Sequence, residues 1–399
     1  MRRAVLGVLC AALLAGAGCG QGERPRGIDA RLSVARSLSE ESSGESSGFA
    51  RALSPRAFAF PADHGPHPDF RNEWWYYTGN LATPAGRRFG FQLTVFRNAL
   101  TPHPPARGSE WAASQVYLAH FALTDVEGGR FRSFERLERG ALGLAGAQAV
   151  PFRAWVGTWS AAGPPLPRAS ITSTPMRLTA AAGDAAIDLT LERGKPPVLQ
   201  GDRGLSRKGA EPGQASYYYS LPRMPACGIV RVEGRAHPVA GLAWMDREWS
   251  TSSLGRGQVG WDWLALQLTD GREVMLYRLR RRDGSADPAS QGTLVARDGT
   301  SRPLAWSDVR LSPSGTWTSP RSGARYPARW RLAIPAERLD LEIRPYLADQ
   351  ELDTSFRYWE GAVAIAGTAA GAPVGGSGYV ELTGYGEGSE TAGGAGAPR

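Results

Sequence analysis

The sequence contains little cysteine, which limits how the chain can be stabilised. Three of its 399 residues are cysteine. Cys10 and Cys19 lie in the N-terminal segment, so Cys227 is alone in the rest of the chain. The sequence therefore predicts a fold without disulfides, in which packing supplies the stability. Cys227, in the stretch MPACGIV, is interpreted as a small buried residue rather than a nucleophile.

Lysine is scarcer still, because Lys195 and Lys208 are the only two among 46 basic residues and the others are arginine. The formal net charge is +8, but the arginines are scattered and interleaved with acids, apart from a short run at residues 280–282. Nucleic-acid binding needs a basic stripe or a recognised motif. The sequence has neither and predicts no nucleic-acid partner.

Long helical periodicity and the common catalytic motifs are also missing. The sequence has no Walker loop, no G-x-G-x-x-G that opens a helix and no G-x-S-x-G nucleophile elbow. It has five histidines, none of which completes a zinc-binding spacing. We therefore predict neither a cofactor nor a metal. A secreted hydrolase of unknown substrate is the lowest-ranked interpretation, because no serine is placed beside a histidine.

The N-terminus predicts export. Arg2 and Arg3 precede an apolar run at residues 4–17, followed by Gly18 and Cys19. This run is typical of a secretory signal peptide and is too short for a stable membrane anchor. We predict a signal peptide at 1–18 and lipidation of Cys19. The product is then a periplasmic or outer-membrane-anchored lipoprotein that contacts the membrane through its lipid. Ordinary secretion with an incidental cysteine is the alternative.

Abundant turn residues favour an all-β protein, since the chain contains 50 glycines and 29 prolines. An Asp-Gly pair at residues 270–271 separates two apolar runs and predicts a hairpin. The predicted strands are FGFQLTVF (89–96), QVYLAHFALTD (115–125), AIDLTLE (186–192), GWDWLALQL (260–268), EVMLYRLR (273–280), YWEGAVAIAG (358–367) and GYVELTGY (378–385).

Residues 75–97 and 261–280 share one pattern, in which an aromatic pair at alternate positions is followed by a turn containing Gly-Arg and a second apolar strand that ends in Arg. This similarity suggests a duplicated β-domain. We predict a flexible tether at 19–56, an N-terminal domain at 57–235, a C-terminal domain at 236–386 and a disordered tail at 387–399. Closure into barrels removes exposed strand edges, and a barrel of about eight strands can hold one small ligand. Segment 193–214, which is rich in turn residues and charges, could also suggest a domain boundary, and it is interpreted instead as a long functional loop.

Four consecutive aromatics occur in the stretch RNEWWYYTGNL (71–81). On a strand, Trp74 and Tyr76 face one side, and Trp75 and Tyr77 face the other. One pair is expected to fill a barrel, and the other to pack at a seam between barrels or against a loop. Either all four are structural, or some line an apolar ligand pocket.

Asp262 lies between Trp261 and Trp263 in the stretch GWDWLALQL. Burial would raise the pKa of this carboxyl group and keep it protonated. A protonated acid in an aromatic site can donate a proton to a C=C bond, and π faces can then shield the resulting cation. The alternative is a structural aspartate that caps a turn or pairs with an arginine such as Arg278 or Arg280.

Other acids also lie next to aromatic residues. In AWMDREWSTS, Asp246 and Glu248 share one face of an extended strand, with Trp249 beside them. They form either a salt-bridge network at the domain junction or a site for positioning water. Glu73 and Glu360 also lie among aromatics, and each needs a partner if it is buried. The many arginines can supply that partner.

Seven motifs together resemble one known family. They are EWWYYTGNL (73–81), KPPVLQGDRGLSRKG (195–209), SYYYSLPR (216–223), GLAWMDREWSTS (241–252), GWDWLALQLTDGREVMLYRLR (260–280), YWEGAV (358–363) and GYVELTGY (378–385). They resemble the AttH-domain/carotenoid 1,2-hydratase family, whose uncharacterised bacterial members are often called predicted secreted hydrolases. The resemblance covers residues 57–386 and implies two lipocalin-like antiparallel β-barrels packed side by side. It also implies an apolar, isoprenoid- or lipid-like ligand.

The chain departs from the family at Arg247, where the family often has histidine. A permanently charged guanidinium there replaces an imidazole that can shuttle protons. We predict a lipocalin-like protein that binds an apolar ligand and adds water to a C=C bond, with Asp262 as proton donor. The predicted aromatic wall is Trp74, Trp75, Tyr76, Tyr77, Trp249, Trp261, Trp263 and Tyr277. The alternative is a non-catalytic binding protein, and the sequence does not predict protein partners.

Overall fold

The computed structural model describes residues 48–386, except residues 104–107, 165–174, 253 and 256. The predicted signal peptide, Cys19, most of the tether and the tail at 387–399 therefore lie outside the described residues. None of the helices within the described ranges has the length and apolar character that spanning a bilayer requires.

The first sheet contains the strands of the N-terminal half and is a nearly closed barrel. Its strands are β1 (Asn72–Ala82), β2 (Arg88–Ala99), β3 (Gln115–Asp125), β4 (Arg130–Arg139), β5 (Ala145–Ala149), β6 (Phe152–Val156), β7 (Trp159–Ala162), β8 (Met176–Ala182), β9 (Ala185–Leu191), β10 (Val198–Leu199), β11 (Leu205–Arg207), β12 (Ala215–Val232) and β13 (Arg235–Ser252). Their hydrogen-bonded order is β4-β3-β2-β1-β13-β12-β9-β8-β7-β6-β5, with β10 and β11 also paired to β12.

The second sheet forms a half-barrel. Its strands are β14 (Gln258–Leu268), β15 (Glu273–Arg281), β16 (Gln291–Val295), β17 (Ser301–Ala305), β18 (Arg310–Thr318), β19 (Arg325–Ile334), β20 (Leu339–Pro345), β21 (Glu351–Asp353), β22 (Arg357–Ala369) and β23 (Ala372–Leu382). Their order is β17-β16-β15-β14-β23-β22-β20-β19-β18, with β21 paired to β22. Short 3₁₀ helices span Ala62–His64, Trp306–Asp308 and Pro335–Glu337.

The structure confirms the all-β prediction of two antiparallel barrel-like sheets side by side, although the second is only half closed. It also contains the hairpin predicted at Asp-Gly, because β14 and β15 pair across that turn. Each sheet has its own apolar core, and a third apolar cluster contains residues from both sheets. The two sheets therefore meet at a shared apolar seam.

The change from one sheet to the other lies C-terminal to the boundary predicted at residue 235. β13 pairs with both β12 and β1, so the first sheet extends to Ser252. The turn residues near 235 belong to a tight hairpin instead of a linker. Glu233 and Gly234 both have positive φ, at 52° and 76°, as such two-residue hairpin turns require.

Cys227 is exposed, whereas the sequence analysis predicted that it is buried. It lies in β12 between strands β9 and β13, opposite Thr190 and Ala240. Alternation along the strand buries the neighbouring Ala226 and leaves Cys227 on the solvent side. The apolar character of MPACGIV therefore did not predict which face Cys227 occupies.

Candidate functional site

The seam between the two sheets contains a partly open cavity of about 140 Å³. An apolar cavity of about 150 Å³ can bind benzene, so this cavity can hold a small apolar group. Its aromatic lining comes from both sheets. These rings are Trp74, Tyr76, Phe96, Tyr218, Trp261, Trp263, Tyr277, Phe356 and Tyr358.

Alternation along β1 explains which of the four consecutive aromatics reach the cavity. Trp74 and Tyr76 line it, and Tyr76 lies edge-on to Trp263 at 5.2 Å between ring centroids. Trp75 and Tyr77 face the opposite side and are fully buried in the core of the first barrel. One face of this strand therefore packs at the seam between the sheets, and the other packs in the core of the first barrel.

Three predicted ligand-binding residues, Trp75, Tyr77 and Trp249, do not line the cavity. Trp249 lies in β13 directly opposite Glu73, on the face that points into the first barrel. Its ring stacks on His67 at a centroid distance of 3.7 Å. All three are correctly recognised as buried aromatics but belong to the structural core.

The predicted proton donor, Asp262, also lies away from the cavity. Trp261 and Trp263 point toward the cavity, so Asp262 points to the opposite face, with Leu264 in the core of the half-barrel. Arg280 Nε is 3.0 Å from Asp262 Oδ1, and the Tyr385 hydroxyl donates to the same oxygen at 2.9 Å. Asp262 is therefore a buried structural ion pair, which corrects the catalytic prediction.

Glu360, on β22, is a buried acid that faces the cavity without a basic partner among the described residues. Its side chain is buried, and no arginine, lysine or histidine in the described ranges forms an ion pair with it. The Tyr76 hydroxyl donates to Oε1, and Oε2 has no hydrogen-bond partner among the described residues. From the sequence, an arginine partner was expected for this acid.

The pKa of Glu360 lies well above its usual range. Burial is the largest cause and the adjacent Glu381 carboxyl group adds to it, while the Tyr76 and Tyr358 hydroxyls counteract it in part. A buried carboxyl group without a cation avoids ionisation, so this environment favours the neutral carboxylic acid form of Glu360. This environment is the one that the sequence analysis had assigned to Asp262.

Glu381 is a second cavity acid that the sequence analysis missed. It lies on β23 directly opposite Glu360 and next to Trp263 on β14. Burial raises the pKa of Glu381 to about 7, more than hydrogen bonding with Trp261 lowers it, and the charges of Asp246 and Glu248 raise it further. The alternation of GYVELTGY could have placed it on this face, since the buried Val380 and Leu382 flank it.

Asp246 and Glu248 line the cavity from the first sheet, where they lie opposite Tyr76 and Trp74. Burial raises the pKa of Asp246 to about 7, although three donors stabilise its charged form. These donors are Tyr218 Oη at 2.6 Å, Ser220 Oγ at 2.5 Å and Trp244 Nε1 at 2.7 Å. Both oxygens of Asp246 are thus occupied.

Glu248 is held by a cation at the cavity wall. Lys208 Nζ lies 3.2 Å from Glu248 Oε1, and Ser216 donates a hydrogen bond to the same oxygen. Lys208 also lies over the Tyr277 ring, 3.9 Å from its centroid. Burial alone would lower the pKa of Lys208, but Glu248 and Tyr277 outweigh burial and raise it. The cavity therefore contains one charged pair beside acids whose pKa values burial raises.

Arg247, the departure from the family pattern, points away from the cavity. It lies opposite Trp75, and its guanidinium carbon is 4.0 Å from the Trp75 ring centroid. It pairs with Glu73, which Arg97 also contacts. The guanidinium therefore belongs to a buried charge network, whose other members, Glu73 and Arg97, are also among the residues that line the cavity. Within the described ranges, no group of three His, Cys, Asp or Glu side chains is arranged to hold a metal ion.

The cavity acids predict an unusual pH dependence of stability. In the unfolded chain, Asp246 and Glu360 ionise near pH 3.8 and 4.5, whereas both keep their protons to higher pH in the fold. The folded state thus binds more protons, so the free energy of unfolding falls as pH rises from 5 to 8. His64 opposes this trend, because burial lowers its pKa to about 4.

Denaturant unfolding at pH 5, 6, 7 and 8 measures this effect, and a Glu360→Gln/Glu381→Gln variant isolates it. We expect wild type to lose stability relative to the variant by up to about 1.4 kcal/mol per pH unit for each acid. Parallel curves for the two proteins would show that the acids are ionised in the fold.

Comparison with known proteins agrees with the fold. The sequence pattern of the AttH-like family matches residues 51–385, so the chain belongs to this family. This confirms the resemblance identified from the motifs. Comparison with curated protein sequences finds no significant match.

Among solved structures, the chain is similar to a protein assigned as AttH from Nitrosomonas europaea. The two are 36% identical over 84% of this chain and 100% of that chain, with a TM-score of 0.74. Kievitone hydratase from Nectria haematococca is 16% identical over 84% of this chain and 96% of that chain, with a TM-score of 0.62. CghA is 17% identical, with the same coverage and a TM-score of 0.50. At these low identities the last two show a shared fold.

Proposed function

We propose that the protein binds an apolar, alkene-containing small molecule between its two sheets and adds water to a C=C bond. The proposal depends chiefly on Glu360, a buried carboxyl group that faces an aromatic-lined cavity and has no cationic partner in the part of the chain that the structure describes. An acid in such a site keeps its proton at neutral pH and can donate it to carbon.

In this mechanism Glu360 protonates one alkene carbon and becomes a carboxylate. The other carbon becomes a cation, which the π faces of Trp74 and Trp263 stabilise. Water then attacks the cation, a new C–O bond forms, and the attacking water loses one proton. Asp246 and Glu248 position the water from the first sheet, as the sequence analysis proposed.

The fold shared with kievitone hydratase is consistent with this function, because that enzyme's name describes the addition of water. The low identity means that the argument for hydration depends on the cavity itself. A second candidate function is non-catalytic binding of the same apolar ligand. The aromatic lining favours it equally, because binding requires the rings but not a neutral acid.

A ligand screen with product analysis separates the two functions. The purified protein is incubated with farnesol, geranylgeraniol and squalene, which carry trisubstituted alkenes. Binding is followed by quenching of tryptophan fluorescence, and products by mass spectrometry. A hydratase yields product heavier by one water molecule, whereas a carrier returns the ligand unchanged. Absence of product with all three would contradict the hydratase proposal.

Export and lipid anchoring remain proposals that depend on the N-terminal sequence alone. We expect the full-length chain, expressed in a Gram-negative host, to incorporate radiolabelled palmitate at Cys19 and to fractionate with membranes. A Cys19→Ser variant should lose the label. Equal labelling of both chains would rule out this lipidation site, and an unlabelled, released wild-type chain would favour ordinary secretion.

A further inference from the structure

A histidine at the cavity wall uses both ring nitrogens in hydrogen bonds, one to each sheet. His120 lies in β3 of the first sheet, is buried and lines the cavity. Its Nδ1 is 2.7 Å from the hydroxyl of Tyr358, on β22 of the second sheet. Its Nε2 is 3.0 Å from Oε2 of Glu135 on β4. Tyr358 also lines the cavity, so this series of hydrogen bonds begins at the cavity.

The protonation of Glu135 fixes the direction of these hydrogen bonds. Burial alone would raise its pKa, but hydrogen bonds from His120 and Ser355 outweigh burial and hold the pKa below its usual range. A carboxylate only accepts hydrogen bonds, so Nε2 of His120 carries the proton. Nδ1 therefore accepts from the Tyr358 hydroxyl. The Tyr358 oxygen also accepts from Gln92 Nε2 at 3.3 Å, and its second lone pair can accept a proton from the cavity.

Asp246 and Glu248 are poorly placed to take the proton that water releases. Both oxygens of Asp246 already accept hydrogen bonds from protein donors. Glu248 is neutralised by Lys208. The Glu360 carboxylate, formed when the alkene is protonated, and Glu381 also line the cavity. Tyr358, His120 and Glu135 offer a further route, in which the unprotonated Nδ1 of His120 receives the proton through the Tyr358 hydroxyl.

We propose that Tyr358, His120 and Glu135 form the base half of the site. The Tyr358 oxygen takes one proton from the attacking water while its own proton passes to Nδ1 of His120. The Glu135 carboxylate stabilises the imidazolium through Nε2 and acts as a positioning residue. This inference depends on the proposed hydration and adds the groups that complete it.

The proton balance closes within the site. Protonation of the alkene leaves Glu360 as a carboxylate, and capture of water leaves His120 as an imidazolium. The Tyr358 hydroxyl faces both groups, because it bonds to His120 and influences the Glu360 carboxyl group. It can therefore donate its proton to Glu360 and take one from Nδ1 of His120. The net reaction consumes one water molecule and no further proton.

The test separates protonation of the alkene from capture of water. Wild type and the variants Tyr358→Phe, His120→Gln and Glu135→Gln are incubated with farnesol, geranylgeraniol and squalene in D₂O. Mass spectrometry counts the hydrated product and the deuterium gained by recovered alkene. Deuterium enters when Glu360 protonates the alkene and the cation then loses a proton back to the Glu360 carboxylate.

We expect Tyr358→Phe and His120→Gln to lower hydration by about 10²-fold, the size typical of general base catalysis. Deuterium gain by the alkene should persist or rise, because the cation still forms and reverts. Glu135→Gln should lower the ratio of hydrated product to deuterium gain less strongly. Because the Glu135 side chain is 20% exposed, this variant still tests the proposal if the buried variants fail to fold. Tyr379→Phe is the matched control, since Tyr379 lies in the seam cluster but is not among the residues that line the cavity.

Each outcome bears on one proposal or on both. Hydration at the wild-type rate in all three variants, or a parallel loss of hydration and deuterium gain in the variants that fold, would overturn the assignment of the base and leave hydration itself standing. If wild type hydrates none of the three alkenes, the proposed function fails, and the base assignment fails with it.

Discussion

Glu360→Gln is expected to lower hydration by about 10²- to 10⁴-fold while the protein still binds its ligand. The amide cannot donate the proton that the alkene needs, and general acid catalysis typically contributes a factor of this size. The shape of the side chain and the hydrogen bond with Tyr76 can be kept. Because Glu360 is already neutral in the fold, the amide leaves no buried charge unpaired, and stability at neutral pH should change little.

Rates with the alkene panel and ligand affinities for both proteins measure this effect. Glu351→Gln is the matched control, since Glu351 is a buried acid of the second sheet bound by Ser319, Ser322 and Tyr326, outside the cavity lining. We expect this control to lose stability and keep its rate per folded molecule. Turnover by Glu360→Gln at the wild-type rate would remove Glu360 from the mechanism.

Glu73→Gln is expected to have the largest effect on stability, a loss of about 3–5 kcal/mol in the free energy of unfolding. The Glu73 carboxylate pairs with Arg97 and Arg247, and both guanidinium groups are fully buried. Burial alone would raise the pKa of Glu73, but the charge of Arg247 and the hydrogen bond with His67 outweigh burial and hold it well below its usual range. An amide would leave two buried cations without a counter-ion.

Urea unfolding at pH 7 measures the loss. Asp188→Asn is the matched acid-to-amide control, because Asp188 forms an exposed pair with Arg177 and such pairs contribute about 0–1 kcal/mol. A double variant, Glu73→Gln/Arg247→Met, removes one of the unpaired cations and should recover part of the lost stability. Equal effects of Glu73→Gln and Asp188→Asn would mean that solvent screens the Glu73 network.

The fold was largely predictable because turn residues and period-two alternation are local signals. The alternation of WWYY correctly indicated a strand with two apolar faces. It could not show which face meets the ligand, since both Trp74 and Trp75 are large apolar rings. That choice depends on how β1 lies between β2 and β13 and on the packing of the two sheets.

The site was less predictable, because the state of a buried acid depends on partners distant in sequence. Asp262 and Glu360 both lie among aromatics in the sequence, and both were expected to be candidates for arginine pairing. In the structure, Asp262 pairs with an arginine, whereas Glu360 accepts a hydrogen bond from a tyrosine hydroxyl. Residue types alone predicted an apolar cavity that contains an acid but not which acid occupies it.

The central claim is that Glu360 is a neutral carboxylic acid in the seam cavity, and infrared spectroscopy tests it most directly. Difference spectra of wild type and Glu360→Gln at pH 7 report the protonation of this one group without a substrate. We predict that wild type shows the carbonyl stretch of a protonated carboxyl group and that the variant lacks it. A carboxylate stretch in wild type at pH 7, lost in the variant, would contradict the account.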